Sequence, residues 1–229
     1  RASADDCRGV PKPLQPRLYS ISSSPKENPE EVQVTVSAVR YNVHGVARRG
    51  VCSTYLADHA ANHDIGIFVQ KSTHFKPPED PATPMIMVGP GTGIAPFRAF
   101  LHERRALGHT GPNWLFFGEQ HADTDFYYRD ELTAMLSDGS LDRLDVAFSR
   151  DQKDKVYVQD RMREHGSELW NWIHRGAHFY VCGDASRMAK DVDAALKGVV
   201  AQHGKLAPSS AEAYVKALAA EKRYVRDVY

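Results

Sequence analysis

The chain has 229 residues, 42% of them apolar, with 29 lysines and arginines balanced by 29 aspartates and glutamates, and three cysteines. That length can bury a core in one large domain or two small ones, and zero net charge leaves no global field to recruit nucleic acid or an anionic membrane. No apolar run approaches the ~20 residues that cross a bilayer, the opening Arg1 to Asp6 has no signal-peptide core, and Cys7, Cys52 and Cys182 suit neither a disulfide framework nor a zinc site, so a cytoplasmic, metal-free protein is expected.

From Arg17 to about Lys71 the apolar period is two. Val32, Val34 and Val36 alternate with Gln33, Thr35 and Ser37, and Ile65, Ile67 and Val69 alternate again, which predicts half-buried antiparallel strands. Arg17-Leu18-Tyr19-Ser20 places a guanidinium, an aromatic ring and a hydroxyl on one such segment. Gly50-Val51-Cys52-Ser53 leads into a helix with Ser53 as its expected N-cap. Prolines 77, 78, 81 and 84 then mark a hinge, because fixed φ angles and missing N–H groups stop strand and helix alike. The expected division is therefore 1–16 as an upstream remnant or linker, 17–80 as an antiparallel half and 81–229 as a second domain.

Beyond the hinge, apolar runs at Met85 to Val88, Trp114 to Phe117, Leu144 to Phe148 and Phe179 to Cys182 alternate with helical segments after Gly93, Asp125, Tyr157 and Asp184. Such alternation predicts a doubly wound parallel sheet with right-handed crossovers. A last helix is expected from Ser209, boxed with Glu212, to about Lys222. Ligands of such sheets bind beyond the carboxyl ends of the strands, where Gly89, Gly91, Thr92 and Gly93, then Ser149-Arg150, then Cys182-Gly183-Asp184 converge. The glycine turn either cradles a phosphate on backbone N–H groups or only packs a helix against the sheet. Arg150, Lys155 and Tyr157 suit a 2′-phosphate, although Asp151 and Asp154 fit a solvated loop of mixed charge. Cys182 is either packing material or a participant. The alternating tail Arg223 to Tyr229 either frays or returns to the sheet and delivers Tyr229 to a flat cofactor.

Taken together, the arginine-tyrosine-serine segment, the turns at 50–53 and 89–96, and Val181-Cys182-Gly183-Asp184 resemble the ferredoxin–NADP⁺ reductase superfamily, diflavin reductase branch, and all four stand in its order. The run Ser149 to Gln159, the segment Tyr180 to Asp191 and the ending Arg226-Asp227-Val228-Tyr229 are most similar to the flavoproteins of bacterial NADPH-dependent sulfite reductases. The resemblance spans about Pro16 to Tyr229. It implies a partial antiparallel FAD-binding barrel over 17–80 and an NADP-binding domain over 81–229 whose tail covers the flavin.

By that resemblance, Arg17, Leu18, Tyr19, Ser20, Thr35, Val36, Ser37, Tyr41, Gly50, Val51, Cys52, Ser53 and Tyr229 would bind FAD. Gly91, Thr92, Gly93, Ser149, Arg150, Lys155, Val156, Tyr157, Val158, Gln159 and Asp191 would bind NADP. Ser20, Cys182, Asp227 and Tyr229 would surround hydride transfer from NADPH to flavin N5, Tyr229 moving aside for nicotinamide. The family's FMN domain, first barrel strands and connecting domain have no counterpart here, so upstream residues are expected in the intact protein. There, electrons would pass through FMN to a sulfite-reducing haemoprotein. Two other readings are a module serving a haem monooxygenase, ferredoxin or flavodoxin, and a redox-silent nucleotide-binding or docking module.

Overall fold

The computed structural model describes residues 14–229, so most of the expected 1–16 remnant, Cys7 included, lies outside the described residues. Two compact units result. The smaller takes Val36–Ile65 together with the described residues up to Tyr19, and the larger takes Ser20–Thr35 and Gly66–Tyr229.

The smaller unit contains an antiparallel hairpin, β1 (Arg40–Val43) and β2 (Val46–Arg49), followed by helix α1 (Val51–Asp58). His44 and Gly45 turn the hairpin with φ of 49° and 80°, the paired left-handed conformation that matches strand twist and favours glycine at the second position. Gly50 precedes α1 in extended conformation. Ser53 lies inside the first turn of the helix, which corrects its expected role as N-cap. Its Oγ accepts the Val39 N–H at 3.1 Å, and Thr54 Oγ1 donates to Gly50 O at 2.8 Å.

The larger unit is built on β3 (Met85–Val88), β4 (Asn113–Glu119), β5 (Arg143–Phe148), β6 (His178–Gly183) and β7 (Tyr224–Val228). All neighbouring pairs are parallel, in the order β5-β4-β3-β6-β7. The intervening helices are α2 (Ala95–Ala106), α3 (Ala122–Asp125), α4 (Arg129–Asp138), α5 (Val158–Glu164), α6 (Gly166–His174), α7 (Met188–His203) and α8 (Pro208–Ala220). Strand alternation sorts the core to the two faces of the sheet. Ile86, Val88, Trp114, Phe116, Phe179 and Val181 pack with residues of α5 to α8, while Met85, Met87, Leu115, Phe117, Tyr180 and Cys182 pack with residues of α2 and α4. Each large apolar side chain withdrawn fully from water contributes roughly 1.5–3 kcal/mol, so burial on both faces explains why these strands read as continuous apolar runs.

Several local expectations are corrected. Val32 and Val34 are exposed, and Val34 makes only an isolated bridge to Ile21; Ile65, Ile67 and Val69 are exposed and outside any strand. Alternation sets which side chains share a face, but a ladder forms only when a neighbouring strand takes up the backbone groups. The last helix starts at Pro208, whose missing N–H costs nothing at the first helical position, and not from a box at Ser209. It ends at Ala220, and the segment after Asp125 becomes helical only from Arg129. The tail does return to the sheet, as β7 against β6. Among the described residues, no helix is long and apolar enough to cross a membrane.

Candidate functional site

Sheet order reverses between β3 and β6, which run side by side at the centre, and the crevice opens at their carboxyl ends. After β3, Gly91 adopts φ 58° and a 3-10 turn Gly91–Ile94 runs into α2. A Cβ on Gly93 would stand 2.2 Å from Cys182 O and 2.8 Å from Cys182 C. Since these are backbone atoms of β6, only glycine lets the two strand ends approach so closely. A Cβ on Gly91 would meet nothing nearer than Glu119 Oε1 at 3.4 Å, so the space over that residue is open. The turn therefore combines tight packing at Gly93 with an uncovered backbone at Gly91, which suits a phosphate resting on main-chain N–H groups.

On the β6 side, Gly183 has φ 133° and Asp184 follows it. The Asp184 carboxylate accepts N–H groups of Ser186, Arg187 and Met188 at 3.2, 2.8 and 3.2 Å, opening α7. These bonds hold its carboxyl well below the usual carboxylate range. Asp191, in the first turn of α7, is exposed. An aspartate four residues before a helical run is the sequence signal for this cap.

β7 brings three of the expected hydride-site residues to the same strand end. Cys182 pairs in register with Asp227, and Gly183 with Val228. Ser20 Oγ donates to Asp227 Oδ2 at 3.4 Å across 207 positions of sequence. Cys182 is fully buried, and burial pushes its thiol up to about 12, with Asp227 adding to the shift and a Ser20 hydrogen bond opposing it. It is thus a neutral thiol at ordinary pH. Tyr229 is 64% exposed; its hydroxyl lies 2.9 Å from Thr92 Oγ1, its N–H donates to Gly183 O and its carbonyl accepts from Ala185. The terminal ring is thereby tied to the β3 turn as well as to the β6 turn.

At the opposite edge, the loop after β5 carries Ser149 and Arg150. Their N–H groups donate to Glu119 O and Gln120 O, both at 2.9 Å. Arg150, Lys155 and Tyr157 are exposed, and Tyr157 precedes α5 with its N–H given to Asp160 Oδ2 at 2.9 Å. Val156 and Gln159 are half-buried. Val158 is 3% exposed and packs in the core over Gly118, so its side chain supports the loop from beneath rather than facing a ligand.

The segment Ser20–Thr35 belongs to this larger unit through a polar clamp that motif reading missed. Arg98 on α2 donates to Ser22 O and Gln33 Oε1, both at 2.7 Å, and to Glu131 Oε2 at 2.8 Å. His102 stands between Glu27 and Glu131. Thr35 Oγ1 lies 2.6 Å from the Tyr128 hydroxyl. The only advance signal was the helical spacing of Arg98 and His102, four residues apart on one face.

In the smaller unit, burial pushes the Tyr19 hydroxyl up to about 12, reinforced by a hydrogen bond with Cys52. Tyr19 and the first turn of α1 are thus neighbours. Arg17 is exposed and donates to Gln15 O at 2.6 Å. Leu18, Ser37, Tyr41 and Val51 are exposed, and Val36 and Cys52 half-buried. A Cβ on Gly50 would stand 2.7 Å from Ser53 Oγ and 2.9 Å from Val39 Cβ, which fixes glycine at this turn.

Residues 87–194 match the family described as an oxidoreductase NAD-binding domain, and residues 7–55 match the FAD binding domain. The chain is 54% identical over 228 residues to the sulfite reductase (NADPH) flavoprotein alpha-component of Yersinia enterocolitica, spanning 99% of this chain and 38% of that relative. Identity to the proteins of the same description from Yersinia pestis and Serratia proteamaculans is 52%, again over 99% of this chain and 38% of each relative. The chain therefore spans less than two fifths of the length of the curated relatives it matches.

Proposed function

We propose an NADPH-oxidising reductase module, for a chain whose residues 87–194 match the oxidoreductase NAD-binding domain and 7–55 the FAD binding domain, and which is similar over 228 residues to part of a sulfite reductase flavoprotein. In the intact protein its electrons would leave through an FMN domain for a sulfite-reducing haemoprotein. The observation that carries the reading is the switch-point crevice, where the open Gly91 turn, the exposed Arg150 loop and the Ser20–Cys182–Asp227 group all lie at the carboxyl ends of one parallel sheet. The proposed domains are 17–80 for FAD and 81–229 for NADP.

The residues present fit both cofactors. In the smaller unit, Arg17, Tyr19 and the glycine-led start of α1 offer a guanidinium, a ring and backbone donors to FAD. In the larger unit, Gly91 to Gly93 would hold the nicotinamide nucleotide's pyrophosphate, and Ser149, Arg150, Lys155 and Tyr157 its 2′-phosphate. Bound FAD would accept hydride and release electrons singly. The chain's own work is positioning, because hydride moves only at near-attack separations on the order of 3–3.5 Å. Ser20 offers a hydroxyl donor toward flavin N5, and Asp227 a carboxylate that favours positive charge on the nicotinamide ring. The neutral Cys182 thiol would supply bulk beside a bound nicotinamide, and Tyr229 would offer its ring to a flat cofactor.

Anaerobic stopped-flow absorbance of the FAD-loaded chain tests the reading. Rapid flavin bleaching by NADPH and much slower bleaching by NADH are expected, with the preference lost in Arg150→Ala. Bound flavin that neither nucleotide bleaches would overturn it.

A further inference from the structure

The loop that carries Arg150 is secured by more than the strand ladder. Beyond the Ser149 and Arg150 backbone bonds, Asp151 turns back toward the end of β4. Its Oδ2 accepts the Ala122 N–H and its Oδ1 pairs with His121 Nδ1, each at 2.8 Å. His121 is itself fixed, since its N–H donates to Asp125 Oδ2 at 3.0 Å. Gln152 Nε2 donates to Phe148 O at 2.6 Å and closes the loop from the other side.

This clasp bears on the ambiguity of the sequence Ser149-Arg150-Asp151. A free carboxylate beside an exposed guanidinium competes with an incoming phosphate for it and also repels a dianion. Here both oxygens of Asp151 are occupied by donors from residues 121 and 122, which hold its carboxyl below the usual carboxylate range. Among the described residues, Arg150 is exposed and takes part in no ion pair. The loop therefore has a fixed backbone, an engaged acid and an available base.

We propose that His121 and Asp151 are positioning residues for cofactor choice: by engaging the Asp151 carboxylate and anchoring the Arg150 backbone, they give the site its preference for a 2′-phosphorylated nucleotide. The proposal rests on the assignment of Arg150 to that phosphate. Nothing in it requires either residue to touch the ligand.

Calorimetric titration of the chain with 2′,5′-ADP and with 5′-ADP tests it directly. His121→Ala, which frees the Asp151 carboxylate beside Arg150, is expected to weaken 2′,5′-ADP about tenfold, the scale of one charge-assisted contact, and Asp151→Ala, which loses the anchor but also the competing carboxylate, to weaken it less; both leave 5′-ADP unchanged. His121→Gln, which keeps an N–H donor, restores most of the loss, and in turnover KM for NADPH rises while kcat holds. Equal losses for both ligands, no loss for either, or a His121→Gln variant as weak as His121→Ala each overturn the proposal. Arg150→Ala separates the layers. If it abolishes the preference while the clasp variants keep it, the clasp alone is wrong; if it leaves the preference intact, the Arg150 assignment fails and the proposal with it.

Discussion

The two units use the same alphabet of short apolar strands and glycine-led helix starts, yet only one of them buries it. In the larger unit Met85, Ile86, Met87 and Val88 are all fully buried, because helices cover both faces of the sheet. In the smaller unit Tyr41, Val43 and Val46 on the hairpin remain 41–55% exposed, and among its described residues the buried ones are the polar Ser53 and Thr54. A two-stranded ribbon has no second layer of its own, so a strand pattern becomes a core only where other elements close over it. Stability and local rigidity should therefore divide along the same line.

The largest effect is expected at the centre of the sheet. Phe116→Ala empties a site stacked on Trp114 with ring centroids 4.9 Å apart, and should cost about 3–5 kcal/mol in urea unfolding. A loss below about 1 kcal/mol would show the core to be far more plastic than its packing implies.

Gly93→Ala comes next. Its Cβ would overlap the Cys182 backbone, so a loss of about 3 kcal/mol is expected together with weakened binding of 2′,5′-ADP, because β3 and β6 must separate at the crevice. Gly45→Ala in the hairpin meets no neighbour within 4 Å, and its cost is limited to the φ of 80°. Comparable losses at the two glycines would break the contrast between the units.

A third effect is pH-dependent. Burial raises the Cys182 thiol from an ordinary 9.0 to about 12, so the native protein keeps a proton that the unfolded chain gives up above pH 9. Its contribution is fully present below pH 9 and is lost as pH rises toward 12. Urea midpoints measured over that window should fall less steeply in Cys182→Ala than in the parent. Parallel slopes would mean that the thiol is reached by water.

The smallest change is expected in the hairpin, where Val46→Ala should alter stability by less than about 0.5 kcal/mol. Hydrogen exchange sharpens the same point: amides of β3, β4 and β6 should exchange only through global opening, and those of β1 and β2 well before.

Much of this was legible in the chain itself. Apolar runs identified β3, β4 and β6 to within a residue or two, since burial on both faces leaves an apolar signature that no tertiary detail is needed to read; the edge strand β5, interrupted by Asp145 and mostly half-buried, was placed by its apolar residues from Leu144 to Phe148. The glycine turn and the Ser149-Arg150 loop were located by their position after those strands. Alternation over 32–36 and 65–69 misled for the converse reason: period two describes a strand's faces and is silent about whether a partner strand exists.

Sequence alone thus determined the parallel sheet, its crevice and the residue types that line it, because those follow from local periodicity and from the geometry of glycine. Tertiary structure decided the rest. It set Ser20 beside Asp227 across 207 positions, bound Ser20–Thr35 to α2 through Arg98, and turned Asp151 onto His121. Contacts between distant segments depend on which surfaces pack together, and no local pattern in the chain records that choice.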